Sequence, residues 1–321
     1  MEIVSTEPQV PGPVGLEAKW NDSMFVFSRD TATGLSTWAR IAQQPNDGAT
    51  STFVCVLMPD GTRFRFFDLG TFQPGHRAPD RWLGDGLEFQ NEGDRIRIRY
   101  SAPQCDLDLT WTGFHPPVDF HKIMARFSEE LGEINAEHVE QGGEVTGRVR
   151  VGDQELDLSG MGYRDHSWGH RSTGSMLAHR WMIGTVGPAL SWSGVSILMD
   201  GGRLVKTGFV VRDGDLTPVT DMDITVATKE DGMSIVAADS TLHLMDGSSL
   251  EVALTDVQVG GVLEVPPLSV VESTGVAVAD GKIGVGDCEV SNSLTGGTMA
   301  PPVLVTGGAV GQGITHFADE P

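Results

Sequence analysis

Cysteine is scarce in this chain of 321 residues: Cys55, Cys105 and Cys288 are the only three, widely spaced and with no CxxC pair. That excludes a disulfide framework and a zinc knuckle, and it fits a reducing compartment. Positive charge is also short, with 22 Lys and Arg against 44 Asp and Glu and a net charge of -22. The acidic excess is shared evenly between the two halves of the chain. Such a field repels phosphate backbones and anionic lipid, so neither nucleic acid nor a membrane surface is an expected partner. No run approaches the roughly 18 apolar residues of a membrane span, and the N-terminus lacks the basic-then-apolar layout of a signal peptide. A cytoplasmic protein without membrane insertion is the expectation.

Other absences narrow the chemistry. The alternation of strands and helices that builds a dinucleotide fold is missing, and Gly284-Val285-Gly286 has no helix pattern after it. No cofactor is therefore expected. Ser175 lies in Thr173-Gly174-Ser175-Met176 rather than in a Gly-x-Ser-x-Gly elbow, which leaves a hydrolase triad unsupported. No fixed-period repeat is present, which argues against a propeller or solenoid.

What is present is turn-rich and β-like. With 39% hydrophobic and 21% charged residues the chain is globular, and 41 Gly and 17 Pro make it turn often. Asp-Gly pairs at Asp60, Asp200, Asp213, Asp231, Asp246 and Asp280 separate alternating or β-branched runs, which is the hairpin signal. Two-sided alternation is clear over 95–100, 106–111 and 144–151. One helix is expected over 119–133, where Phe120, Ile123, Met124, Phe127 and Leu131 follow helical spacing behind an Asp119 N-cap. The fold class is all-β with at most one or two short helices; antiparallel sheets of this size close into barrels or sandwiches, and the chain is expected to divide near residue 158.

One segment breaks the pattern. Between Gly160 and Arg171 the chain packs Tyr163, Arg164, Asp165, His166, Trp168 and His170 among glycines, a mixture foreign to a plain surface loop. Tyr163-Arg164-Asp165-His166-Ser167-Trp168-Gly169 resembles the Tyr-x-Asp-His-x-Trp-Gly signature of the carotenoid 1,2-hydratase and AttH-like superfamily, closest to its uncharacterised bacterial members. Trp20-Asn21-Asp22-Ser23, the stretch from Ala136 to Gln141, and the glycine-rich stretch ending in Glu289 resemble other parts of those proteins. The resemblance implies two lipocalin-like domains, antiparallel β-barrels or half-barrels packed together, here 1–158 and 159–321, the second beginning with the signature. It also implies a hydrophobic ligand held near their junction, with chemistry on isolated alkenes.

By position the resemblance makes Asp165 the proton donor. A carboxylic acid that protonates a C=C bond must be neutral when it acts, which calls for an apolar setting, and aromatic faces then stabilise the carbocation. His166 is the expected partner of Asp165, on the condition that a loop conformation brings the two side chains together, since in a strand they would point apart. Tyr163, Arg164, Trp168, His179, Trp181 and Trp192 are candidates for lining the ligand site, joined by His138 and Glu289 from neighbouring strands; Glu137 and Glu140 have the same two readings as His138, pocket wall or solvated edge.

Two functions remain open on these residues. One is a lyase or isomerase that hydrates, dehydrates or cyclises a terpenoid, polyene or lipid-like substrate through Asp165. The other is a carrier of a hydrophobic small molecule in which Arg164 pairs with Asp165 as a structural anchor. Histidines His115, His121, His138, His166, His170 and His179 could be sorted into a metal site, but the signature is too glycine-rich for a helix and structural roles are their default, so no metal is expected. Cys105 and Cys288 read as small buried hydrophobes.

Overall fold

A computed structural model describes residues 19–131, 137–170, 175–230, 234–265, 268–293 and 313–316. The structure is nearly all-β, with a closed eight-stranded barrel and a curled half-barrel sheet. Two compact units divide the chain.

The first unit holds β1 (Trp20–Arg29), β2 (Ser36–Gln44), β3 (Ala49–Leu57), β4 (Thr62–Thr71), β5 (Arg77–Ala78), β6 (Arg81–Gly84), β7 (Leu87–Asn91), β8 (Arg95–Ala102), β9 (Cys105–Gly113) and β10 (Val118–Asp119). It continues with β11 (Glu137–Val151) and β12 (Gln154–His170). Most neighbours in sequence are neighbours in the sheet, but β1 lies beside β12, so the two ends of the unit meet. A short strand near the C-terminus, Gly313–His316, pairs with β4 at the sheet edge. The alternation read over 95–100, 106–111 and 144–151 lies in β8, β9 and β11, and one face of each feeds an apolar core that includes Ile98, Leu109, Trp111 and Val145.

The signature is a correction to the sequence reading. It is no loop: residues 163–169 run without interruption through β12, paired to β1 on one side and β11 on the other. The glycines make this possible, because a Cβ on Gly162 would run into the Phe27 carbonyl oxygen and one on Gly160 into that of Arg29. The expected division at 158 falls inside β12, and the units part after this strand instead. The backbone ladder to β1 ties the whole signature to the first unit.

The second unit is the barrel: β13 (Met176–Thr185), β14 (Leu190–Met199), β15 (Leu204–Arg212), β16 (Asp215–Thr228), β17 (Ile235–Leu244), β18 (Ser249–Val265), β19 (Leu268–Ala279) and β20 (Lys282–Ser293), closed by β13 against β20. Asp213-Gly214 and Asp280-Gly281 take the paired positive φ values of tight hairpins between β15 and β16 and between β19 and β20. Asp231-Gly232 and Arg171 lie outside the described residues. Met182, Trp192, Met222, Leu242 and Val252 fill the barrel core. The expected helix is shorter and interrupted: α1 (Phe120–Met124) and α2 (Ser128–Leu131) flank a 3-10 turn, and Glu133 is not described. Asp119 ends β10 and immediately precedes α1. Phe120 meets Phe209 of β15 edge-on at 5.8 Å, and Arg126 donates to the Thr207 hydroxyl at 2.9 Å, which seats the helical segment on the barrel's outer face.

Candidate functional site

Strand alternation sorts the signature into two faces. Arg164, His166 and Trp168 turn toward the apolar core of the first unit, on the side of Met24 and Val26. Tyr163, Asp165 and Ser167 turn to the opposite face, in register with Phe27, Phe25 and Ser23 of β1. His166 is therefore not the partner of Asp165. The expected pairing needed a loop, and the continuous strand forbids it.

On the core side His166 serves a buried network. Its Nε2 lies 2.9 Å from Asp22 Oδ1, while Trp82 Nε1 donates to the same oxygen at 2.8 Å and Arg77 Nε to Oδ2 at 2.6 Å. Burial pushes the Asp22 carboxyl up, but His166, Arg77 and Trp82 outweigh it and hold the group below its ordinary value. The His166 ring also packs on Trp82 and Trp168, with centroids at 5.0 and 4.8 Å. Arg164 donates to Gln141 Oε1 at 2.9 Å and lies over the Trp111 ring at 5.0 Å. The Trp111 ring fits there because Gly143, on which the ring lies, has no side chain. Asp165 is on the other face, so the structural Arg164–Asp165 pair is not formed.

The opposite face carries the acid–base groups. Asp165 is in register with Glu140 of β11, and His138, two residues earlier on β11, shares that face. His138 Nε2 hydrogen-bonds to Asp165 Oδ2 and stands 3.4 Å from Glu140 Oε1. The Tyr163 hydroxyl donates to Glu140 Oε2 at 3.1 Å. Burial, then the Glu140 charge and hydrogen bond, push the Tyr163 phenol far above its ordinary value, so it stays a protonated donor. Side chains are 0% exposed for Glu140, 12% for Asp165 and 15% for His138, so Glu140 is sealed and the other two keep an opening. One imidazole nitrogen thus faces two carboxylates, an arrangement able to hold and hand over a single proton. Phe25 and Phe27 stand beside it on β1, their rings 6.4 Å apart. Ligand atoms of His138, Glu140 and Asp165 all lie within 4.8 Å of one another, close enough to share a cation.

The barrel holds the remaining candidates. His179 and Trp181 of β13 are in register with Ser291 and Glu289 of β20. His179 Nε2 hydrogen-bonds to the Glu289 carboxylate, and its Nδ1 lies 2.6 Å from the Ser291 hydroxyl. Trp181 Nε1 donates to Ser193 Oγ at 3.0 Å. Trp192 points the other way, into the barrel core, where it is buried at 1% exposure. All three cysteines are buried, and burial raises the Cys105 thiol to about 12, so thiol chemistry has no support. Sequence reasoning missed Phe25 and Phe27, whose alternation in Phe25-Val26-Phe27 was the available signal. It also left Glu140 between pocket and surface, and the structure buries it completely.

A family profile described as a domain of unknown function, DUF7064, matches residues 6–293. The chain belongs to this family. No curated protein matches it. Among solved structures, this DUF7064 chain is similar to an AttH candidate from Nitrosomonas europaea at TM-score 0.65 and 14% identity, with 88% of this chain and 98% of that one covered. Kievitone hydratase from Nectria haematococca follows at TM-score 0.56 and 11% identity, covering 85% and 88% of the two chains. CghA matches at TM-score 0.59 and 10% identity, covering 88% and 90%. This DUF7064 chain thus shares its fold with those three structures.

Proposed function

We infer that the chain is a lyase or isomerase that hydrates, dehydrates or cyclises a hydrophobic terpenoid, polyene or lipid-like substrate, with Asp165 as the acid–base group and His138 as its partner. The observation that carries this reading is the His138–Asp165 hydrogen bond on a face that also bears Phe25 and Phe27. An acid acting on an isolated alkene needs a proton held ready away from bulk water, and the His138–Asp165 pair holds one with little solvent exposure. The carbocation that follows is stabilised by aromatic faces, which the two phenylalanines supply. The Asp165 carboxylate left after that step, on the open side of the cluster with His138, takes back the proton released when water adds. That kievitone hydratase shares the fold adds support, as does CghA, which has been solved with Sch210972.

In the carrier reading Arg164 would clamp Asp165. Arg164 instead engages Gln141 on the opposite face, so nothing in the geometry favours that alternative. The test is Asp165→Asn assayed on a panel of isolated-alkene terpenoids and polyenes, with the melting temperature measured alongside. The enzyme reading expects turnover to fall about 10²- to 10⁴-fold with the fold retained. Unchanged turnover would sink it, and a variant that loses only stability would favour the carrier.

A further inference from the structure

We propose that His138, Glu140 and Asp165 form a binding site for a divalent transition-metal ion, which competes with the proton that the His138–Asp165 pair otherwise shares. Three observations support this. First, the donors are set by backbone register rather than by mobile surface side chains, since Glu140 stands opposite Asp165 across the β11–β12 ladder and His138 lies two residues along the same face.

Second, the spacing suits a small ion. Bonds of about 2.1 Å in a tetrahedral site put ligand atoms about 3.4 Å apart. His138 Nε2 and Glu140 Oε1 are 3.4 Å apart, and the whole set lies within 4.8 Å, so small rotations of the carboxylates complete the site. One nitrogen and two carboxylate oxygens suit Zn²⁺ or Mn²⁺ better than Ca²⁺, which takes six to eight oxygens.

Third, a supporting contact is already in place. The Tyr163 hydroxyl donates to Glu140 Oε2 and leaves Oε1 toward His138, the kind of outer hydrogen bond that orients a ligating carboxylate. Glu140 is fully buried while Asp165 and His138 keep an opening, so the fourth position of a tetrahedral ion faces the accessible side. Bringing two carboxylates together costs repulsion that a shared dication relieves.

The experiment is a calorimetric titration of the chelator-treated full chain with Zn²⁺, without substrate. One equivalent is expected to bind. His138→Gln and Asp165→Asn should each weaken binding at least about tenfold, and Tyr163→Phe about tenfold through loss of Glu140 positioning. His243→Gln, which removes an exposed histidine paired with Asp223 at 3.1 Å, should leave binding unchanged. Circular dichroism on each variant shows which retain the fold, and Asp165→Asn carries the test if His138→Gln does not. Absence of Zn²⁺ uptake, uptake undiminished in a folded His138→Gln or Asp165→Asn protein, or loss in His243→Gln would each overturn the proposal. Because no substrate is involved, failure here leaves the acid–base reading untouched, and the reverse also holds.

Discussion

Asp165 and His166 are adjacent in sequence and work on opposite faces of one strand: Asp165 hydrogen-bonds to His138, while His166 Nε2 lies 2.9 Å from Asp22. The signature thus combines a reactive face with a structural one. Substitutions at its neighbouring residues should have different consequences.

Asp22 is the test of the structural face. It is fully buried and binds His166, Arg77 and Trp82 together. Replacing it with Asn leaves the Arg77 guanidinium without its carboxylate in a buried network, a change that costs about 3 to 5 kcal/mol. Urea denaturation of Asp22→Asn should show that loss, and a change under 1 kcal/mol would refute the network's importance.

The same group predicts a pH dependence. Its carboxyl is held below the ordinary value of 3.8, so its contribution is fully present above that value and is lost as pH falls through the lower folded-state value. Denaturation midpoints measured from pH 7 down to 3 should fall more steeply at the acid end for the wild type than for Asp22→Asn. Parallel profiles would contradict the assignment.

Gly162 tests why the signature is a strand. A methyl group there meets the Phe27 carbonyl oxygen, so Gly162→Ala must push β1 away from β12. A loss of about 1 to 3 kcal/mol is expected, read as a lower melting temperature. An unaffected melting temperature would mean that the two strands pair less closely than described.

Trp192 separates barrel packing from ligand lining. Its side chain is in the barrel core beside Met222 and Leu242. Trp192→Phe should lower stability by about 1 to 3 kcal/mol without altering substrate KM, whereas a changed KM in a stable variant would restore the role read from sequence.

The strands were largely legible, because period-two alternation at 95–100 and 144–151 and Asp-Gly turns such as Asp213-Gly214 are local signals that tertiary context did not override. The signature was legible as a sequence and misleading as a conformation. Its glycines let β12 lie against the backbones of its neighbours. The partners of its side chains could not be read locally. Asp22 meets His166 across 144 residues, and His138 meets Asp165 across 27, so both depend on a register that only the ladder of β1, β12 and β11 sets.

The most direct test of the central claim uses deuterium. Hydration, acid-initiated cyclisation and the reverse of dehydration all deliver a proton from Asp165 to carbon, so turnover of an isolated-alkene substrate in D₂O should place one carbon-bound deuterium in the product, read by mass spectrometry. The wild type is expected to form that product and folded Asp165→Asn to form it about 10²- to 10⁴-fold more slowly. Equal deuterium incorporation by the two proteins would contradict the account.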